Sequence, residues 1–147
     1  MTARLAWLID TNVVSEMMRP RPEPRVAASL DSIEREGIGL ASVTAGEILD
    51  GIGRLSPDRR RENLAARFHD LLDELFEDRI VDWSLADAPA CARIMEDKRR
   101  RGEPLDDHVP DAFLAAAAAS RGLAVVTHRS LSPPPVSLVP PWPPVHG

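Results

Sequence analysis

Short apolar runs alternate with longer amphipathic segments along the chain. Four of the runs are predicted strands, at residues 5–9, 38–42, 80–83 and 123–127, and a short fifth is predicted at residues 136–139. Strands separated by helical segments are typical of βαβ units, in which neighbouring strands run parallel. The pattern therefore predicts an α/β fold with a mainly parallel, twisted sheet of four or five strands.

The amphipathic segments have the spacing of helices that cover a sheet. Val26, Leu30 and Ile33 recur at three- and four-residue intervals and predict one buried helical face. A longer face is formed by Leu64, Phe68, Leu71, Leu72, Leu75 and Phe76. We therefore expect helices on both faces of the sheet.

Capping residues and prolines mark the ends of several elements. Ser84 is a predicted N-cap for the helix after the third strand, and Gly122 is a predicted C-cap for an alanine-rich helix at residues 111–121. Prolines predict an extended connection at residues 19–24. From residue 133 onward seven of the fourteen prolines crowd the C-terminal tail, which we expect to be extended and outside the sheet.

Composition narrows the class of protein. The 147 residues fit a single domain spanning residues 1–147, and the one cysteine, Cys91, excludes an internal disulfide and is expected to pack in the core. No run approaches the roughly 20 apolar residues that cross a membrane, so a cytoplasmic protein is expected. The formal charge of -5 argues against general adhesion to nucleic acid through a basic surface. A nuclease remains compatible, since carboxylates around a divalent cation make a site locally acidic.

Two basic runs need an explanation. Residues 98–101 are expected to end a helix, where positive charge suits the helix dipole. Arg59, Arg60 and Arg61 instead stand at a predicted helix start, where positive charge is mildly unfavourable. We therefore consider these three arginines as candidates for contact with the phosphates of RNA.

Three carboxylates are predicted to lie on one rim of the sheet. Asp10 follows the first strand, Glu47 is expected in the first turn of the helix after the second strand, and Asp111 opens the alanine-rich helix. Strand carboxyl ends and the following helix amino ends share one edge in a parallel α/β sheet, so the three side chains can converge. Their hard oxygen donors suit Mg²⁺ or Mn²⁺.

Each of these acids also has a structural explanation. Asp10 can cap the helix that follows it. Asp111 can stabilise its helix simply because a negative charge at the amino end interacts favourably with the helix dipole. Residues 44–47 have the form of a capping box, in which Thr44 caps the helix and Glu47 reaches back. The pattern leaves open whether these acids are caps or ligands.

Three segments resemble the first three motifs of PIN-domain ribonucleases. They read LIDTNVVSE at residues 8–16, TAGEI at residues 44–48 and PDAFLAA at residues 110–116, and the likeness extends in order along nearly the whole chain. It is greatest to the VapC toxins of bacterial VapBC toxin–antitoxin systems, including the FitB-like branch. The resemblance implies a PIN-like three-layer fold and a metal-dependent endoribonuclease that hydrolyses RNA phosphodiester bonds.

The same resemblance implies roles for particular residues and partners. Asp10, Glu47 and Asp111 correspond to the acidic catalytic and metal-site residues, and Thr11 and Asn12 would position the first carboxylate or a water. The cofactor would be Mg²⁺ or Mn²⁺. Such proteins are typically homodimers, and a small VapB-like antitoxin inhibits them by occupying the groove of the active site.

The chain departs from the family pattern after the fourth predicted strand. An Asp or Asn is usual there, but this chain has Thr127-His128-Arg129-Ser130 and no Asp or Glu beyond Asp111. A guanidinium cannot bind a cation, so a second metal site is not expected and activity is expected to be weakened. The missing donor could be replaced by Ser130, Ser132, His128, Asp106 or Asp107, of which the two aspartates before Asp111 are favoured.

Two other functions fit parts of the sequence. A degenerate PIN module that binds RNA or an antitoxin without cutting would explain the missing fourth acid. An aspartyl-nucleophile phosphatase of the haloacid dehalogenase type would use Asp10, Thr44, Lys98 and the pair Asp106 and Asp107. Asn12 counts against the phosphatase, because that family has a proton-exchanging Asp at this position.

Overall fold

Four parallel strands form the sheet. In the computed structural model, which describes residues 4–103 and 109–127, they are β1 (Trp7–Ile9), β2 (Ile38–Ala41), β3 (Ile80–Val81) and β4 (Ala124–Val126), in the spatial order β3-β2-β1-β4. Trp7 of β1 lies beside Ile38 on one side and beside Ala124 on the other. The predicted α/β fold with a parallel sheet is confirmed. The fifth strand predicted at residues 136–139 lies outside the described residues.

Helices connect the strands. Those in the described ranges are α1 (Thr11–Met17), α2 (Pro24–Ile33), α3 (Ser42–Gly53), α4 (Arg59–Glu74), α5 (Ala88–Arg100) and α6 (Val109–Arg121), with short 3₁₀ turns at Glu34–Glu36 and Leu85–Asp87. α6 is followed by Gly122 at φ +68°, a left-handed conformation that glycine adopts without a Cβ penalty. This confirms the predicted C-cap.

The side chains of β1 alternate between two hydrophobic cores. Trp7 and Ile9 point into a first core that α1, α2, α3 and α4 cover, whereas Leu8 points into a second core covered by α6. This alternation is the two-residue period of a strand that is buried on both faces. The first core contains the predicted faces of α2 and α4, including Val26, Leu30, Ile33, Phe68 and Leu71.

α6 is packed on two sides, which explains its alanines. One side contacts the sheet in the second core through Leu114, Ala117 and Ala118. The other side contacts α5 in a third core that contains Ala112, Ala115, Ala116, Cys91 and Ile94. Burial raises the pKa of the Cys91 thiol, and the residue packs in the core as predicted.

The predicted start of α3 is wrong. α3 begins at Ser42, with Ala41 as its N-cap. α3 follows β2 without a loop, so Thr44 lies inside the helix, where its buried hydroxyl has no hydrogen-bond partner among the described residues. Glu47 is therefore in the second turn, and the capping box at residues 44–47 does not form.

The segment after β3 also differs from its prediction. Only Ile80 and Val81 pair with β2, and the chain leaves the sheet before Trp83. Ser84 is the N-cap of the 3₁₀ turn at Leu85–Asp87 rather than of α5, which begins at Ala88. Among residues 4–103 and 109–127, no helix has the length and apolar character needed to cross a membrane.

Candidate functional site

The predicted site residues lie where strands end and helices begin. Asp10 directly follows β1, Ser42 follows β2, Asp82 follows β3 and Thr127 follows β4. Because the strands are parallel, these junctions share one rim of the sheet. The first turn of α6, which contains Asp111, is at a helix amino end and belongs to the same rim.

Asp10 is the N-cap of α1. Its Oδ1 accepts a hydrogen bond of 2.9 Å from the main-chain N–H of Val13, and its own N–H donates to the Val126 carbonyl of β4 at 3.0 Å. The capping interpretation of Asp10 is therefore correct. The bonds fix both the backbone and one carboxylate oxygen of this half-buried residue, which is also what a metal ligand requires.

Glu47 is tied to Thr11 across two helices. The Thr11 hydroxyl donates to Glu47 Oε1 at 2.8 Å, which joins the amino end of α1 to the second turn of α3. In the described part of the chain no Lys, Arg or His forms an ion pair with Glu47. The structure thus brings together the first two predicted motifs around a carboxylate that no cationic side chain in residues 4–103 and 109–127 neutralises.

Asp111 lies in the first turn of α6 with an exposed side chain. No three His, Cys, Asp or Glu side chains come together as a metal site anywhere in residues 4–103 and 109–127. Asp10, Glu47 and Asp111 thus share a rim without forming a closed cage. The donors still fit Mg²⁺, which proteins usually hold through one or two carboxylates, waters and substrate phosphates.

A groove of about 600 Å³ opens beside Thr11 and Glu47. Its walls include Asn12 and Arg60, and its apolar part includes Ile52, Leu55 and Leu64. Of the three predicted RNA-contact arginines, only Arg60 lines this groove, while Arg59 and Arg61 lie beside it in the first turn of α4. Arg60 makes no ion pair with any described residue.

Several candidate donors lie outside the described residues. These are Asp106, Asp107, His128, Ser130 and Ser132. Their predicted support for a metal ion stays a prediction.

Asp87 is a buried carboxylate that was not predicted from the sequence. Its side chain has no solvent exposure, and it accepts hydrogen bonds from the Ser84 N–H at 2.8 Å, from the Ser120 hydroxyl and from Arg121 Nη1 at 2.7 Å. Burial by itself raises the pKa of Asp87, but the bonds from Ser120, Ser84 and Arg121 together hold that pKa below its ordinary value. Ser84 and Asp87 have the three-residue spacing of a capping box, which could have identified Asp87 from the sequence. That spacing indicates a structural role for Asp87 and not a catalytic one.

Comparison with known proteins agrees with this geometry. The sequence signature of the family described as PIN domain matches residues 7–129. Toxin FitB of Neisseria gonorrhoeae is 32% identical over 82% of this chain and 85% of its own length. VapC ribonuclease Y4jK of Sinorhizobium fredii is 26% identical over 93% of this chain and 98% of its own length.

Solved structures share the fold as well. The crystal structure of FitAcB from Neisseria gonorrhoeae superposes with a TM-score of 0.65 at 32% identity, over 81% of this chain and 84% of that one. Other solved structures with this fold are FitAB and VapBC complexes bound to DNA fragments.

These matches cover most of the chain, and they include the rim that holds Asp10, Glu47 and Asp111. The chain belongs to the PIN-domain family. Within that family it is a VapC- and FitB-like toxin of the toxin–antitoxin type, as its motifs predicted.

Proposed function

We propose that the protein is a metal-dependent endoribonuclease toxin that hydrolyses RNA phosphodiester bonds. The observation that carries the proposal is the hydrogen bond between Thr11 and Glu47, which joins two motifs of a ribonuclease family at a rim where no cationic side chain among the described residues pairs with Glu47. This bond fixes Glu47 through a neutral donor and leaves its negative charge available to a divalent cation. The family match to residues 7–129 supports the same function and disfavours the phosphatase alternative.

Asp10, Glu47 and Asp111 would hold Mg²⁺ or Mn²⁺ in this proposal. When bound, such an ion lowers the pKa of water and stabilises negative charge on the leaving oxygen of the cleaved phosphodiester. The donor set is made of hard carboxylate oxygens, which these cations prefer.

The chain's own residues hold the carboxylates and the substrate. The Val13 N–H fixes Asp10, and the Thr11 hydroxyl fixes Glu47, so neither acid needs to reorganise when a cation binds. Asn12 lines the groove beside them and would donate its amide to a phosphate oxygen. Arg60, which also lines the groove, would hold a neighbouring phosphate, with Arg59 and Arg61 adding charge nearby.

The partners follow from the toxin family. We propose a small VapB-like antitoxin that occupies the groove and places a cationic side chain against Glu47, competing with the metal ion. We also propose a homodimer that acts in the cytoplasm. An acidic site beside an apolar groove fits a short basic and apolar segment of such an inhibitor.

The test is cleavage of a mixed RNA pool. Wild-type protein is expected to cut RNA with added Mg²⁺ or Mn²⁺ and to stop when a chelator is added. Asp10→Asn and Asp111→Asn should abolish the cleavage, whereas Asp50→Asn, on the exposed side of α3, should not. If the wild type cuts no better than the Asp10 and Asp111 variants, the nuclease proposal fails.

One observation favours a second function. The described residues contain no closed group of three potential metal ligands. A module that binds RNA or antitoxin without cutting would need no such group. Under that alternative the wild type and Asp10→Asn would retain RNA equally well on a filter and neither would cleave it. Cleavage by the wild type alone excludes the alternative.

A further inference from the structure

Trp83 connects the two helices that carry Glu47 and Asp111. Its main-chain N–H donates to the Ser42 hydroxyl at 3.2 Å, and Ser42 is the first residue of α3. Its indole N–H donates to the Phe113 carbonyl at 3.0 Å, in the first turns of α6 and two residues after Asp111. One residue thus bonds to both helices on the side of the sheet where the proposed site lies.

The ring of Trp83 reinforces this connection. It is tilted by 53° against the Phe113 ring, with 5.0 Å between the ring centres, and it packs in both the second and the third hydrophobic core. A half-buried aromatic ring would pack there without any hydrogen bond. Both N–H groups of Trp83 are nevertheless used, and each of them acts on a different carboxylate-bearing helix.

The opposite end of α6 has a separate anchor. Ser120 and Arg121 bind Asp87, so the carboxyl end of the helix is fixed without Trp83. At the amino end of α6, where Asp111 lies, Trp83 adds its bond to Phe113 to the packing of Ala112 against α5. A rotation of α6 about the Asp87 anchor would move Asp111 relative to Glu47, and Trp83 opposes that rotation.

We propose that Trp83 is a positioning residue that sets the distance between Asp111 and Glu47 and thereby the affinity of the site for a divalent cation. The inference rests on the proposed role of these carboxylates as metal ligands. Groups that orient ligands commonly change metal affinity about 10- to 100-fold when they are removed. Because Trp83 acts through two helix backbones, we expect the lower end of this range.

The test is Mn²⁺ binding to the full chain, measured by the electron paramagnetic resonance signal of free Mn²⁺. Trp83→Phe keeps an aromatic ring but loses the indole donor, and it is expected to raise the Kd for Mn²⁺ about tenfold. The matched control is Trp7→Phe, which also loses an indole hydrogen bond, in this case to Glu36 at 3.4 Å, but at the start of β1. That variant should bind Mn²⁺ within twofold of the wild type, roughly the error of such a comparison.

Two further variants separate the outcomes. Ser42→Ala removes the acceptor of the Trp83 main-chain N–H without changing the ring, so a smaller loss of affinity is expected even if Trp83→Phe does not fold. Asp111→Asn should weaken binding at least as much as Trp83→Phe.

If Asp111→Asn weakens Mn²⁺ binding while Trp83→Phe and Ser42→Ala bind like Trp7→Phe, only the positioning role is overturned. If Asp111→Asn binds Mn²⁺ as the wild type does, the proposed metal site fails and the role of Trp83 fails with it.

Discussion

Two carboxylates in this protein, Asp87 and Glu47, have opposite surroundings. Asp87 is fully buried and accepts hydrogen bonds from a main-chain N–H, a hydroxyl and a guanidinium. Glu47 is half-buried beside an open groove and, within the described part of the chain, accepts one side-chain hydrogen bond, from Thr11. A buried acid needs full pairing to offset its desolvation, whereas a binding acid must keep its charge available. The surroundings of Asp87 therefore fit a role in the stability of the fold, and those of Glu47 fit its proposed role as a ligand.

Glu47→Gln is the most direct test of the difference between Glu47 and Asp87. This change keeps the shape of the side chain and an acceptor for Thr11 but removes the charge. RNA cleavage is expected to fall on the order of a hundred- to a thousandfold, as when one group that stabilises a transition state is lost. Initial cleavage rates and urea unfolding check the prediction, and the free energy of unfolding should change by less than about 1 kcal/mol. A large loss of stability would instead make Glu47 a structural residue.

Asp87→Ala should give the reverse result. It leaves Arg121 and the Ser84 N–H without their acceptor, and breaking a buried ion pair costs about 3–5 kcal/mol. Since Arg121 is 30% exposed, we expect the lower end, about 3 kcal/mol of unfolding free energy. Glu96→Ala is the control, because its pair with Arg100 is exposed and should contribute under about 1 kcal/mol. Equal losses in the two variants would contradict the structural role of Asp87.

Arg60 lines the groove beside Glu47, and Arg60→Ala is expected to weaken RNA binding, with a smaller effect than the two substitutions above. Measured in the Asp10→Asn background, RNA binding should weaken several-fold for all sequences, and the slope of log affinity against log salt should decrease by about 1. The control is Arg93→Ala, an exposed position on α5 that does not line the groove. An unchanged salt slope would show that Arg60 does not contact phosphate.

The smallest expected effect is the contribution of the Asp87 charge to the unfolding free energy at acid pH. The pKa of Asp87 is lower in the folded protein than its ordinary value, so its charged form stabilises the fold above the ordinary pKa. This contribution is lost as the pH falls below the ordinary value and through the lowered one. The wild type should therefore exceed Asp87→Asn in unfolding free energy at about pH 5, and the difference should shrink toward about pH 2 in urea titrations. A difference that stays constant across this range would exclude a charged Asp87.

The sequence predicted the strands and the faces of the helices because both depend on local periodicity. The four described strands fall inside the predicted runs, and Val26, Leu30 and Ile33 are buried as their spacing indicated. The helix starts were harder to predict, because several neighbouring residues can serve as the N-cap. Ala41, which has no capping side chain, still precedes α3, because β2 runs directly into the helix and leaves no loop for Thr44 to cap.

The candidate site was predicted only in part, for a similar reason. The rim positions of Asp10, Glu47 and Asp111 follow from strand order and motif order. The bond from Thr11 to Glu47 spans 36 residues, and that from Trp83 to Phe113 spans 30. Contacts at such separations depend on how the helices pack on the sheet, which no local pattern in one sequence specifies.

The central position of β1 also determines when the site can form during synthesis. The first described strand is flanked on one side by β4, the last one, and the Asp10 N–H bonds to Val126. Domains fold as units as the chain leaves the ribosome, and pairings between distant segments must wait for the later segment. The rim around Asp10 therefore stays incomplete on the nascent chain until residue 126 has emerged. The proposed site therefore cannot form around β1 alone and depends on a strand that is made more than 100 residues later.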